Sequence, residues 1–213
     1  MSAQNSDRPM PVAVLISGGG TTLKNLIAKI AEGTLRIDIR LVLSSTAKAR
    51  GIAYAEAAGI PVEVVDWNAI DDVRKFNEAL FEKCRNAGVE LVVCGGFLKQ
   101  LIIPDDFANR VINIHPALIP SFCGKGYYGR RVHAAAIDYG VKLSGCTIHY
   151  VDNEFDHGPV VLQRAVPVEP DDTPESLAAR VFEAECEAYP EALQLIADGR
   201  VTIDGRCVRV ERR

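Results

Sequence analysis

Asn113 and His115 stand two residues apart at the end of an apolar run, RVINIHP, residues 110–116. On a strand, residues two apart point the same way, so the amide and the imidazole share one face while Ile112 and Ile114 take the other. An amide beside an imidazole suits acyl transfer, in which one donates to an oxyanion and the other manages a proton. A polar pair at a strand end also serves simply to satisfy loop carbonyls. Further along, EFDHGP at residues 154–159 sets two carboxylates and a histidine between two strand-like runs. A carboxylate near an imidazole raises its pKa and holds or relays its proton, which makes Asp156 a candidate partner for His115. The plain alternative is a solvated turn, and spacing alone does not bring Asp156 to His115.

A second candidate lies near the start, where SGGGTT at residues 17–22 separates the apolar run PVAVLI from a helical pattern. A glycine loop opening a helix lets backbone N–H groups and the helix dipole converge on an anion, and the hydroxyls of Thr21 and Thr22 add donors beside Gly20. A tight turn needs no such loop: three consecutive glycines cost backbone entropy. The dinucleotide fingerprint is not completed, because Thr22 and Leu23 occupy positions where its spacing needs glycine. Ser44-Ser45 also ends the second strand where a nicotinamide-binding unit places an acidic residue. A single phosphate is expected here and NAD is not.

The elements that must position these residues follow from periodicity. Apolar runs at 11–16, 37–43, 61–65, 89–94 and 110–114 read as strands, and the patterns at 23–31, 49–58 and 71–85 read as helices. The last of these helices carries an apolar stripe of Val73, Phe76, Leu80, Phe81 and Cys84. Unbroken apolar strands alternating with helices predict an α/β fold: a single doubly wound, mostly parallel sheet with helices on both faces. After Gly124 the pattern changes to a helix at 132–139, then strand-like runs at 144–151 and 160–167, read as strands added to the same sheet. Thr173-Pro174-Glu175 announces a last helix to about 197, and a small hairpin is expected around Asp204-Gly205. The expected organisation is a flexible tail over residues 1–10 and one domain over 11–213.

With 213 residues, nearly half of them apolar, and a formal charge of −4, the chain suits one core and offers no basic stripe for nucleic acid. The six cysteines are scattered without a C-x-x-C pair, so no structural metal is expected. No secretory signal and no run of about 18 apolar residues occurs, so a soluble cytoplasmic protein without membrane partners is expected, acting on small molecules. No exposed apolar face can be assigned from the chain, so its oligomeric state stays open.

Taken in order, the S-G-x-G loop, N-I-H-P-x-L-x-P from Asn113 to Pro120 and D-x-G-P from Asp156 to Pro159 resemble the folate-dependent formyltransferase family, in particular the glycinamide ribonucleotide formyltransferases. The resemblance runs over nearly the entire chain. It implies the formyltransferase fold, 10-formyltetrahydrofolate as donor and co-substrate, and 5-phosphoribosyl-glycinamide as acceptor in purine biosynthesis. It makes Asn113, His115 and Asp156 the catalytic trio. Gly20, Thr21 and Thr22 would hold the ribonucleotide phosphate and Glu185 the amino-bearing arm. Arg74, the loop of Leu98, Lys99, Gln100 and Leu101, and the loop from Asp152 and Asn153 to Asp156 would hold the folate.

This chain departs from the usual family pattern at Thr21-Thr22 (Ser-Asn), Leu98-Lys99 (Met-Arg) and Ala117 (Ser). Its FCGKGYYG segment, residues 122–129, is longer and richer in glycine, and is expected to form a mobile loop over the site. The expected mechanism is direct. The Asn113 amide and a protonated His115 meet the oxyanion, and Asp156 raises the His115 pKa and helps shuttle a proton from the amine to the leaving nitrogen. Cys123 has no activating base nearby in sequence and is not expected to act as nucleophile. His133 and His149 are expected to be structural or peripheral, His157 to line the pocket without doing chemistry, and Phe97 to support the core.

Methionyl-tRNA formyltransferases share a similar motif but add a C-terminal RNA-binding domain, and formyltetrahydrofolate deformylases add an N-terminal regulatory domain. The short extensions at both ends of this chain speak against both. A non-catalytic ribonucleotide-binding sensor domain is the alternative from another class, and the intact trio speaks against it.

Overall fold

The computed structural model describes residues 8–211. In chain order the elements are β1 (Met10–Ile16), α1 (Thr21–Ala31), β2 (Ile37–Ser44), α2 (Ile52–Ala57), β3 (Val62–Val64), α3 (Val73–Asn86) and β4 (Leu91–Cys94). A single 3₁₀ turn (Asp105–Phe107) leads to β5 (Val111–His115), α4 (Arg130–Tyr139), β6 (Leu143–Tyr150), β7 (Val160–Pro167), α5 (Pro174–Ala197), β8 (Val201–Asp204) and β9 (Cys207–Val210). Seven strands form one sheet in the order β3-β2-β1-β4-β5-β6-β7, and β8 with β9 form a separate hairpin. The five strands from β3 to β5 are parallel, and β6 and β7 are antiparallel.

Alternation along the strands distributes the core between two faces. Val12, Val14 and Ile16 of β1 face one cluster with Leu23 and Leu26 of α1 and Leu177, Val181 and Leu193 of α5. Ala13 and Leu15 face the other, with Phe76, Leu80 and Phe81 of α3. The chain winds outward from β1 to β3, then returns through α3 to β4 on the other side of β1. Right-handed crossovers therefore put α1 and α2 on one face and α3 on the opposite one. The reversal leaves a crevice at the carboxyl ends of β1 and β4, where ligands bind in open α/β sheets.

Two helices show how local chemistry sets their placement. Thr173 accepts from the Ser176 N–H while the Ser176 hydroxyl accepts from the Thr173 N–H, a reciprocal cap with Pro174 in the first turn. Within the same helix Pro190 has no N–H for the Cys186 carbonyl four residues back. Asn25 of α1 donates to that carbonyl at 2.8 Å, so the proline gap becomes a tie between helices.

The expected tail over 1–10 needs correction at its inner end, because Met10 already belongs to β1 and Arg8 pairs with Glu90 at 2.7 Å. The remainder of that expected tail, residues 1–7, lies outside the described residues, as do 212–213 of the expected domain. α2 begins at Ile52 rather than 49, since the preceding turns press Gly51 onto the glycine loop. Among the described residues no helix is long and apolar enough to cross a membrane, and no group of His, Cys, Asp and Glu could hold a metal ion.

Candidate active site

A cleft of about 670 Å³ opens over the carboxyl ends of β4 and β5, within the range usual for small-molecule sites. Its walls come from Thr22 of the glycine loop, the segment 96–101 after β4, Asn113 to Pro116, the glycine-rich loop, residues 151–156 and one face of α5.

Asn113 and His115 are consecutive same-face residues of β5, and β6 runs beside them with His149 opposite Asn113 and Thr147 opposite His115. Asp156 arrives from the β6–β7 loop, whose path depends on Gly158. A Cβ there would stand 1.9 Å from the Tyr150 carbonyl oxygen, so only glycine fits. That close approach is the structural content of the D-x-G-P sequence.

His115 is almost fully buried, with Nε2 2.9 Å from the Phe122 carbonyl oxygen and Nδ1 3.4 Å from Asp156 Oδ2. The same Oδ2 accepts from the Gly124 N–H at 2.9 Å. Phe122 (φ 50) and Asp156 (φ 53) are both held in the left-handed region although neither is glycine, a strain typical of functional sites. Burial pulls the His115 pKa below its ordinary value and outweighs the upward pull of Asp156 and the Phe122 carbonyl. Asp156 pulls the pKa upward, in the direction expected of it, while desolvation is the larger effect. A neutral imidazole with its proton on Nε2 matches the short contact to Phe122 and the longer one to Asp156. Burial alone would raise the Asp156 carboxyl, yet the groups packed against it, among them the Gly124 N–H that donates to it, hold it below the ordinary carboxylate range.

Glu185 reaches the cleft from α5. Tyr189, one turn further on, is fully buried with its hydroxyl 3.1 Å from the Cys94 carbonyl and 3.0 Å from that of Ile112, which pins the helix over the ends of β4 and β5. Removal from water pushes the Glu185 carboxyl up to about 7. No hydrogen bond or ion pair satisfies it among the described residues.

In the glycine loop, Gly20 is left-handed (φ 70) and caps α1 without a side-chain bond. A Cβ on Gly20 would lie 2.3 Å from the Gly51 Cα, so the loop is packed backbone to backbone on the turn before α2. The Arg50 guanidinium reaches within 3.8 Å of where a Gly19 Cβ would be. Ser17 and Ser45 are hydrogen-bonded at 2.8 Å, and the Leu98 N–H donates to Ser17, joining the ends of β1, β2 and β4.

Leu98, Lys99, Gln100 and Leu101 line the cleft as a loop held by buried Asn77, which donates to the Gln100 carbonyl and accepts from the Ile102 N–H. Asp152 and Asn153 line it from the opposite side, and Asn153 Oδ1 accepts from the Ile103 N–H, tying the two loops together. Arg74 stands apart in the first turn of α3, outside the residues lining the cleft. Gly20 and Thr21, which precede the lining Thr22 in the chain, are not among the residues lining the cleft. The glycine-rich segment lies over the cleft through Gly124, Gly126, Tyr127, Tyr128 and Gly129.

His149, read from sequence as structural or peripheral, sits in the centre: Nε2 is 3.3 Å from Asn113 Nδ2 and 3.7 Å from Asp156 Oδ1. Its alternation with apolar neighbours concealed this, and only the β5–β6 register reveals it. His133 also lines the cleft, buried, with Nδ1 unpartnered among the described residues. Gly51 and Arg50 were missed as well, since nothing local marks a glycine whose role is contact with another glycine. His157 lies outside the cleft lining, between Asp152 and Arg206 of the β8–β9 turn. Phe97 stacks on Phe76 but also lines the cleft. The Cys123 thiol donates to the Pro120 carbonyl, and burial, then Asp156, push its pKa up, away from a nucleophilic thiolate.

The doubly wound sheet and its strand-end cleft define an α/β protein that takes a small ligand at the carboxyl ends of its strands. The model of the formyl transferase family matches residues 10–193, and the chain belongs to that family. A phosphoribosylglycinamide formyltransferase from Haemophilus influenzae is 34% identical over 90% of this chain and 89% of its own length. The trifunctional purine biosynthetic protein adenosine-3 of Gallus gallus is 41% identical over 90% of this chain, which spans only 19% of that longer protein. Among solved structures, glycinamide ribonucleotide transformylase 1 from Symbiobacterium toebii superposes with a TM-score of 0.90 at 37% identity, covering 99% of each chain.

Proposed function

We propose that the protein transfers the formyl group of 10-formyltetrahydrofolate directly to the amine of 5-phosphoribosyl-glycinamide. The observation that carries this reading is the meeting of Asn113, His115 and Asp156 at the floor of a cleft that Glu185 enters from α5 and the glycine loop borders. The family and the names of its members support it.

The acceptor amine, neutral, attacks the formyl carbon. A C–N bond forms, negative charge moves to the formyl oxygen, and the bond to the folate nitrogen then breaks. Asn113 donates an N–H to that oxygen. His115 begins neutral; the developing charge draws a proton onto its imidazole, and ionised Asp156 beside Nδ1 stabilises the imidazolium. The amine proton passes through this pair to the leaving nitrogen. Glu185 holds the amino-bearing arm. Gly20, Thr21 and Thr22 receive the phosphate at the start of α1, with Arg50 adding positive charge alongside. The loops of Leu98, Lys99, Gln100 and Leu101 and of Asp152 and Asn153 hold the folate from two sides. Asn153 does so by bracing one loop on the other, and Arg74 acts on the outer part of the ligand.

The test is spectroscopic detection of tetrahydrofolate formed from 10-formyltetrahydrofolate, with and without the glycinamide ribonucleotide, in wild type and His115→Ala. Acceptor-dependent release in wild type, reduced about 10²–10⁴-fold in the variant, is the expected result. Release without acceptor would point to a deformylase instead. No release at all would point to a ribonucleotide sensor.

A further inference from the structure

The Tyr150 carbonyl oxygen can only accept a hydrogen bond, and it lies 2.8 Å from His149 Nδ1, so Nδ1 carries a proton. In the neutral ring the other nitrogen, Nε2, is then an acceptor. It faces Asn113 Nδ2 at 3.3 Å, across the directly paired position of β5 and β6. The reversed amide would set Asn113 Oδ1 against the same lone pair, acceptor against acceptor. His149 is 1% exposed, so bulk water does not relieve that clash. Asp156 Oδ1 lies 3.7 Å from Nε2, beyond hydrogen-bond reach, and leaves Asn113 as the partner. The second Asn113 N–H has no protein partner among the described residues, and Asn113 lines the cleft.

We propose that His149 is a positioning residue: its Nδ1–H tautomer, set by the Tyr150 carbonyl, turns the Asn113 amide so that an N–H faces the reacting formyl oxygen. The proposal rests on the formyl-transfer reading for what the N–H meets, but not for how the amide is oriented. An Asn113 turned the other way would offer an oxygen to a developing oxyanion and oppose the reaction. The fixed backbone carbonyl of Tyr150 thus decides, through one imidazole, the polarity of a side chain two bonds away in the network.

Two measurements test this. Long-range ¹⁵N correlation spectroscopy on the wild-type protein reads the His149 tautomer, expected as Nδ1–H with an unprotonated Nε2; a protonated Nε2 would overturn the proposal. Kinetically, His149→Leu should lower kcat about 10–100-fold with both KM values within about twofold, since loss of one oxyanion donor costs about 10²–10³ and disorientation less. His149→Gln, whose Oε1 stands near the place of Nε2 and accepts from Asn113, should recover most of the rate. In an Asn113→Ala background His149→Leu should add nothing, because the amide it orients is gone. An equal loss in both backgrounds, a change confined to KM, or a glutamine variant no better than leucine would each refute the positioning role. Should the leucine variant fail to melt cooperatively, the tautomer measurement still decides. Absence of any formyl transfer by wild type would sink the functional reading while leaving the amide orientation to be judged by the spectra.

Discussion

Glu185 stands one helical turn before Tyr189, the residue whose hydroxyl anchors α5 on the carbonyls of Cys94 and Ile112. The anchor carries the carboxyl into the cleft, and desolvation there moves its pKa from 4.5 to about 7. Between those values the unfolded chain has ionised while the native state still holds its proton, so wild type loses stability as pH rises through this window. Glu185→Gln cannot ionise. It should match wild type near pH 4.5 and exceed it at pH 8 by up to about 3 kcal/mol, read by denaturant titration at both pH values. An equal difference at both would show that the carboxyl is not desolvated. The same variant should raise the acceptor KM about tenfold or more.

The opposite sign applies to His133. Burial, and secondarily His115, lower its pKa below 6.5, so below that pH the unfolded chain takes up a proton that the native state resists. Stability contributed by the neutral ring is therefore present above pH 6.5 and lost on acidification. His133→Leu also removes the unpartnered Nδ1, a defect of about 1–3 kcal/mol. The variant should melt higher than wild type at pH 5.5, with a smaller advantage at pH 8. A melting advantage independent of pH would remove the titration argument.

Asp156→Asn should fold normally and lose about 10²–10³ in kcat. Asparagine tolerates the left-handed backbone at φ 53 as well as aspartate does, and its amide oxygen can still accept from the Gly124 N–H. The missing charge no longer stabilises the imidazolium of His115. Circular dichroism, folate binding and turnover together check this, and wild-type turnover would remove Asp156 from the mechanism.

Gly51→Ala should disturb the glycine loop from a distance. Its Cβ would stand 2.9 Å from the Gly20 Cα, a backbone atom, and 3.0 Å from Ile16 Cδ1, the end of a fully buried side chain. The expected outcome is a lower melting temperature together with a higher acceptor KM. Arg50→Ala should raise that KM about fivefold with kcat unchanged, and the effect should shrink at high salt. A KM equal to wild type in low salt would detach Arg50 from the phosphate.

Where structure was local in origin, the chain could be read directly. The strand runs, the Thr173 cap with Pro174, and the shared face of Asn113 and His115 depend on backbone periodicity and on bonds between near neighbours, which the order of residues states outright. The motif order carried the family resemblance, and the resemblance pointed to Asp156 and Glu185, residues that no spacing argument joins to His115.

What only the tertiary structure decided were relations across the sheet and their electrostatic balance. His149 entered the centre through the antiparallel register of β5 and β6. Gly51 met Gly20 because α2 packs beside the first loop. At His115 the upward pull of Asp156 is outweighed by burial, which no residue order states. In each case the deciding quantity was distance or burial, set by how separate elements pack, and a linear sequence holds the residues that make such contacts without holding the contacts themselves.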